Sequence, residues 1–307
     1  MTADTAFWIA AVRARETERR DRLFADVYAH DLAGQRGCAI MAASERASGG
    51  ENAFIPVRVR WFDDLIVSAA GRTRQVVLLG AGLDTRAFRL DLPADLDWYE
   101  IDRHEVFTAK SNVLTDCMPR CRRHVVVADV GGDWSPALLG AGFDPRAETL
   151  WVAEGLFFYL PEQAIVEMLR GAARICGSGS LLAADVTGTA GLDSPAMRPY
   201  RAWCERNGVP PPFGTDDPLA LFAAGGWQLG HVTAPGAPDA NYGRLPPQAG
   251  GVIPGRTHLV VGQLPALDQA SQSSWNNAIR KSGGGTDGSC PIGDVRSPAP
   301  VVEHWPS

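Results

Sequence analysis

Short apolar runs separated by helix-length stretches set the pattern of this chain. Val76-Val77-Leu78-Leu79 is closed by Gly80-Ala81-Gly82, and Trp98 to Ile101, His124 to Ala128, Leu150 to Ala153 and Ser180 to Ala184 follow. An uninterrupted apolar run bounded by glycine is what a parallel strand buried on both faces requires. Between the last two runs, Pro161 to Ile175 opens on Pro-Glu and spaces Ile165, Val166, Met168, Leu169 and Ile175 at a helical period. Five strands with helix-length connections predict an α/β fold with a doubly wound sheet. Trp227 to Val232 and Thr257 to Val261 supply two more strands, so the expected sheet is seven-stranded and mostly parallel, flanked by helices.

The flanking regions read differently. Residues 1–70 are expected to be a helical lid or cap. Ala6 to Val12 leads into the charged stretch Arg13 to Arg22, read as one amphipathic helix with a solvated face. In a second helix, Phe54 to Ala70, Val57, Trp61, Leu65 and Ile66 share a face, with Arg58, Arg60, Asp63 and Asp64 on others. Residues 71–264 form the sheet domain, with a Pro/Gly-interrupted lid insertion at 187–224. Residues 265–307 hold Gly283-Gly284-Gly285 and Ser297-Pro298-Ala299-Pro300 with few apolar residues, the composition of a disordered tail.

Composition narrows the function classes. The 307 residues allow one large domain or two small ones. With 29 Lys+Arg against 35 Asp+Glu the chain is net acidic, which disfavours general nucleic-acid binding. No apolar run is long enough to span a membrane, and Met1 to Arg22 does not read as a signal peptide. None of the six cysteines forms a C-x-x-C pair, so no metal site is expected, and scattered reduced thiols agree with a cytoplasmic location.

The candidate chemistry lies at the strand ends, where open α/β sheets bind ligands. Gly80-Ala81-Gly82 permits a tight turn, but position 85 is Thr85 where a dinucleotide fingerprint has its third glycine, and no P-loop is present. Asp102 follows the second strand about 20 residues on, where a carboxylate can accept both ribose hydroxyls. Asp129 with Val130, Glu154 and Asp185 follow the third, fourth and fifth strands. An acid-lined crevice suits a nucleoside that carries a positive charge better than a polyphosphate.

The string Val76 to Leu90, with its Gly80-Ala81-Gly82-Leu83-Asp84-Thr85-Arg86, resembles the signature of the leucine carboxyl methyltransferase-like family of class I S-adenosylmethionine-dependent methyltransferases. It resembles especially the actinobacterial branch that includes polyketide O-methyltransferases. Arg58 to Asp64, Tyr99 to Asp102 and Trp151 to Leu160 match as well, as do Asn241 to Arg244 and Gly255 to Val260. The resemblance implies a Rossmann-like fold and S-adenosyl-L-methionine as cofactor, with S-adenosyl-L-homocysteine as product. It implies that Arg58, or Arg60 as the alternative, binds the cofactor's carboxylate. Gly80, Ala81 and Gly82 would pass under its methionine part, Asp102 would hold the ribose, Asp129 and Val130 would flank adenine, and Glu154 would lie near the amino group. Asp84 would hold the loop or meet the ligand.

The implied reaction is O-methyl transfer to a small acceptor, a carboxylate or phenol, of secondary-metabolite type. A carboxylate, with a pKa of about 4, needs no base, whereas a phenol benefits from one. His104, His231 and His258 sit in no base motif, so no catalytic residue is assigned. Tyr159, Arg198 and Tyr200 are expected on the acceptor side, and Phe7 and Trp8 as a closing lid. The alternative is a non-catalytic S-adenosylmethionine-binding or interaction protein. A nicotinamide dehydrogenase is disfavoured by Thr85 and by the lack of a Tyr-x-x-x-Lys.

Overall fold

The computed structural model describes residues 2–193, 197–208 and 210–265. Three helices come first: α1 (Thr2–Glu18), α2 (Ala29–Ser48) and α3 (Phe54–Ala70). Then follow β1 (Gln75–Leu79), α4 (Arg86–Arg89), β2 (Asp97–Asp102), α5 (His104–Leu114), β3 (Arg122–Val127), α6 (Ser135–Gly140) and β4 (Thr149–Ala153). A 3-10 turn (Phe157–Tyr159) leads to α7 (Glu162–Arg174) and β5 (Leu181–Val186). Next are α8 (Thr189–Leu192), α9 (Arg198–Asn207), α10 (Pro218–Ala224), β6 (Gln228–Thr233) and β7 (His258–Gln263).

The seven strands form one sheet in the order β3-β2-β1-β4-β5-β7-β6. The first five pair in parallel, and β7 runs antiparallel to both β5 and β6. Strand order reverses between β1 and β4, which places a ligand crevice beyond their C-terminal ends.

Alternation of side chains explains why the β1 run is apolar throughout. Val77 and Leu79 join Tyr99, Trp151, Ile165 and Leu169 in a cluster under α6 and α7. Val76 and Leu78 join Trp61, Phe62, Ile66, Trp98 and Leu150 under α3. Every residue of β1 and β4 is buried. Trp151 is fully enclosed, and truncation of a core side chain of that size costs about 3–5 kcal/mol.

Several expectations need correction. The charged stretch at the end of α1 is solvated only in part: the helix stops at Glu18, and Glu18, Arg20, Asp21 and Arg22 are exposed, but Arg13 and Glu16 are 4% and 2% exposed. On α3, Arg58 and Asp63 are buried although they lie off the apolar stripe. Asp185 lies within β5 rather than after it. Within the stretch expected to form a lid, α10 buries Leu221 and Phe222 in the cluster under α7, so it belongs to the core. The expected tail lies, beyond Pro265, outside the described residues. Among the described residues, no helix is long and apolar enough to cross a membrane, and no group of three or more His, Cys, Asp or Glu could hold a metal ion.

Candidate functional site

Beyond β1 the chain turns through Gly80, whose φ of +69° disfavours any residue with a Cβ. A Cβ there would also come within 2.9 Å of Leu156 Cδ1. The amides of Gly80 and Ala81 both donate to the Ile101 carbonyl at 3.0 Å, which pins the loop to β2. The next residue of β2, Asp102, closes the arrangement. Its Oδ2 accepts from the Gly82 amide at 2.7 Å and its Oδ1 from the Arg103 amide at 2.8 Å. Burial pushes the Asp102 carboxyl above the usual range, and these two amides offset part of that push.

Past β4, the site is an ion-pair cluster. Arg58 Nε donates to Glu154 Oε1 at 3.0 Å and its Nη1 to Asp185 Oδ2 at 3.1 Å. The other Glu154 oxygen meets Arg86 Nη2 at 2.8 Å. Asp185 Oδ1 accepts from the Gly155 amide at 2.5 Å. Gly155 has a φ of +62°, and a Cβ on it would press on the Arg58 guanidinium at 3.1 Å. Burial raises the Asp185 carboxyl, partly countered by Arg58 and the Gly155 amide. Burial also works against the Arg58 charge, but Asp185 and Glu154 more than offset it, so the guanidinium stays protonated.

Arg86 anchors the cluster to the signature loop. Its Nε reaches Asp63 Oδ1 and its Nη1 reaches Asp84 Oδ2, both at 2.6 Å. Asp84 Oδ1 accepts from the Arg86 amide at 2.7 Å, so Asp84 holds the loop. Asp63 is shared with Arg89, which contacts both of its oxygens at 2.7 Å. From α1, Arg13 Nη2 donates to the Leu83 carbonyl at 2.7 Å, and its Nε lies 3.4 Å from Asp26. Thr85 donates to Asp26 at 2.6 Å.

These groups border a cavity of about 520 Å³. Arg58, Gly80, Ala81, Gly82, Asp102, Asp129, Val130, Glu154 and Tyr159 all line it. Asp129 is exposed, its Oδ1 accepting from the Gly131 amide at 2.9 Å. Burial raises the Tyr159 hydroxyl pKa, an effect the neighbouring Thr5 side chain of α1 and Arg58 offset in part.

Other expected residues are elsewhere. Arg60 turns outward to Asp64 at 3.0 Å and the Leu23 carbonyl at 2.7 Å, and does not line the cavity. Arg198 is exposed at the start of α9, and the Tyr200 ring lies against Phe158 at 5.6 Å; neither lines the cavity. Trp8 lines it, whereas Phe7 packs under Arg36. None of the three histidines borders it. His104 is exposed, His231 stacks on Trp61, and His258 accepts from the Ile253 amide through Nε2 at 2.9 Å. Sequence reading missed Arg13, Asp26 and Asn52. Arg13 follows the buried Ala10-Ala11-Val12 at helical spacing, which was the available signal. Asn52 Oδ1 caps α3 by accepting from the Phe54 and Ile55 amides at 3.0 and 3.2 Å, and the residue also lines the cavity.

The crevice is therefore less negative than the acids alone suggest, because Glu154 and Asp185 are paired with arginines. Asp102 and Asp129 are the acids that face it from the ends of the second and third strands.

Comparison with known proteins gives a consistent set of relatives. The family model described as leucine carboxyl methyltransferase matches residues 6–173. A protein of Parafrankia sp., named as a candidate S-adenosyl-L-methionine-dependent methyltransferase, is 42% identical over 189 residues, 58% of this chain and 61% of that protein. The match thus spans less than two thirds of that relative's length. A Streptomyces avermitilis protein named in the same way is 35% identical over 263 residues, 80% of this chain and 90% of that protein. A solved structure of a DUF574 family protein, also from Streptomyces avermitilis, superposes with a TM-score of 0.54 at 16% identity, over 83% of this chain and 97% of that one, a likeness of fold.

Proposed function

We propose that this chain, which belongs to the leucine carboxyl methyltransferase family, binds S-adenosylmethionine in the cavity beyond β1 and β4 and transfers its methyl group to an oxygen of a small acceptor. The observation that carries this reading is Asp102, held by two backbone amides against the Gly80–Gly82 turn at the edge of a cavity of about 520 Å³. That volume is within the range of small-molecule sites, roughly 300–1,000 Å³. The residues present fit the cofactor. Asp102 is an anchored acceptor for ribose hydroxyls, and the Gly80 turn brings backbone close where a side chain would intrude. Asp129 and Val130 offer an acceptor and an apolar face for adenine, and Arg58 a guanidinium for the carboxylate. Glu154 and Asp185 offer carboxylate oxygens for the ammonium group.

The bound cofactor supplies a methyl group already activated on a sulfonium. The chain's task is then to orient the acceptor and exclude water. Thr5 and Trp8 of α1 and Phe54 of α3 wall the cavity beside Tyr159 of the turn after β4. The acceptor reading as a secondary metabolite rests on the sequence resemblance alone.

Calorimetry with S-adenosylhomocysteine tests the cofactor site. We expect saturable binding that Asp102→Ala weakens by about 10- to 100-fold, the loss of one or two hydrogen bonds to a charged group. Absence of binding, or an unaffected variant with intact fold, refutes the assignment. Transfer of labelled methyl into candidate acceptors tests the activity, and binding without transfer to any acceptor would favour a non-catalytic cofactor-binding protein.

A further inference from the structure

The connection between β6 and β7 carries Asn241-Tyr242-Gly243-Arg244, none of which lines the cavity. The loop is nonetheless closely tied. Asn241 Nδ2 donates to the Gly236 and Leu245 carbonyls at 3.0 and 2.8 Å, and its Oδ1 accepts from the Gly243 amide at 2.8 Å. Tyr242 holds a left-handed φ of +51°, uncommon for a residue with a side chain. Its hydroxyl donates to Asp64 Oδ2 of α3 at 3.0 Å. This frame aims Arg244 at the end of α1. Arg244 Nη2 donates to Glu16 Oε1 at 2.7 Å and to the Asp21 carbonyl at 2.5 Å. Glu16 is 2% exposed and also accepts from the Leu23 amide at 2.6 Å. From α3, Arg60 lies over the Tyr242 ring at 5.9 Å and donates to the Leu23 carbonyl at 2.7 Å. Two arginines thus grip residues 16–23, and neither borders the cavity.

The helix they hold does border it. Thr5, Ala6, Trp8, Ile9 and Arg13 of α1 line the cavity. From Trp8 to Glu16 the helix rises about 12 Å, and a rigid helix carries a shift at one end to the other. Without Arg244 the buried Glu16 charge keeps the Leu23 amide and Arg19, whose Nε is 3.7 Å from its other oxygen. From these contacts we propose that Arg244 is a positioning residue: latched to Glu16 and Asp21, it keeps α1 docked as a wall of the cavity and so sets how tightly the cofactor is held. The inference rests on the cofactor reading above. If the cofactor binds fully only while α1 is docked, apparent affinity falls in proportion to the docked fraction.

Arg244→Met in the full chain tests it by two measurements. In hydrogen exchange without ligand, amides of α1 should exchange at least about tenfold faster, while those of β1 and β4 stay as in wild type. In calorimetry, S-adenosylhomocysteine should bind about 10- to 100-fold more weakly, the loss of hydrogen bonds to a charged group. Arg244→Lys keeps a charge beside Glu16 but not the guanidinium fork, so its affinity should lie between the two. Unchanged exchange in α1 overturns the proposal. So does unchanged affinity with a loosened α1, a lysine variant as weak as methionine, or exchange that rises equally in β1 and β4, which would make Arg244 a general stabiliser. Should Arg244→Met not fold, Glu16→Gln reads the same contact from the helix, with the same expected pattern, and wild-type exchange and affinity in it overturn the proposal. If wild type itself does not bind S-adenosylhomocysteine, the cofactor reading fails instead, and exchange in α1 alone decides whether Arg244 holds the helix.

Discussion

Replacing Arg86 by methionine isolates the contribution of the ion-pair cluster to the fold. The Arg86 side chain is 4% exposed and contacts Asp63, Asp84 and Glu154. The three carboxylates are left differently provided for. Asp63 keeps both contacts from Arg89, and Glu154 keeps Arg58. Asp84 retains only the backbone amide of position 86. The loss therefore amounts to one broken buried pair, about 3–5 kcal/mol, and at roughly 2–4 °C per kcal/mol the Tm should fall by roughly 6–20 °C. Urea unfolding followed by circular dichroism measures it. Adding Asp84→Asn should restore roughly 1–3 kcal/mol, because the orphaned charge is then gone. The pH dependence carries a further signature. Burial pushes the Asp84 carboxyl up, but Arg86, with Lys110, Arg13 and Arg89 behind it, leaves it below its ordinary value of 3.8. Its stabilisation is then present above pH 3.8 and lost as the pH falls through the lowered folded value. Without Arg86 that stabilisation is absent, so the gap between wild type and variant should be widest near neutrality and narrow in acid. A loss below about 1 kcal/mol, or no recovery in the double variant, refutes the reasoning.

Two further outcomes follow from single positions. Gly80→Ala should cost about 1–2 kcal/mol in urea unfolding from its left-handed φ alone, and more if Leu156 cannot move; an unchanged midpoint would contradict the strained turn. Burial lowers the His258 pKa from its ordinary 6.5. Stability from the neutral ring is thus present above pH 6.5 and lost as the pH falls through the lowered folded value. Urea midpoints at a series of pH values should decline below 6.5, and His258→Gln should flatten that part of the profile; an unflattened slope would remove His258 as its source.

The strands were legible because they are buried on both faces, so burial wrote itself into the sequence as uninterrupted apolar runs. All seven appear within two residues of the expected positions. The glycine turn and Asp102 were legible because turn geometry and strand-end position constrain residue type. The end of α1 was not, since Arg and Glu are good helix formers whether or not the helix continues, and nothing local distinguishes Glu18 from Arg22. Nor could periodicity separate α10 from a lid. Its Leu221 and Phe222 are fixed by packing in the cluster that also holds Leu169 and Trp227, a tertiary circumstance.

Charge misled for a related reason. Periodicity says which face of a helix a residue occupies, not which charge waits opposite it. Arg13 and Asp63 read as solvated or peripheral, yet each is buried, Arg13 against the Leu83 carbonyl and Asp26 and Asp63 against Arg86 and Arg89. The cluster holds four guanidiniums, those of Arg13, Arg58, Arg86 and Arg89, against the five carboxylates of Asp26, Asp63, Asp84, Glu154 and Asp185. Opposite charges so nearly matched in number offset much of one another's burial cost. The cluster's members come from α1, the α1–α2 connection, α3, the loop after β1, α4, the turn after β4 and the end of β5. The geometry at Glu154 and Arg58 therefore depends on residues that lie before the sheet in sequence. The first 70 residues are therefore part of the site's construction.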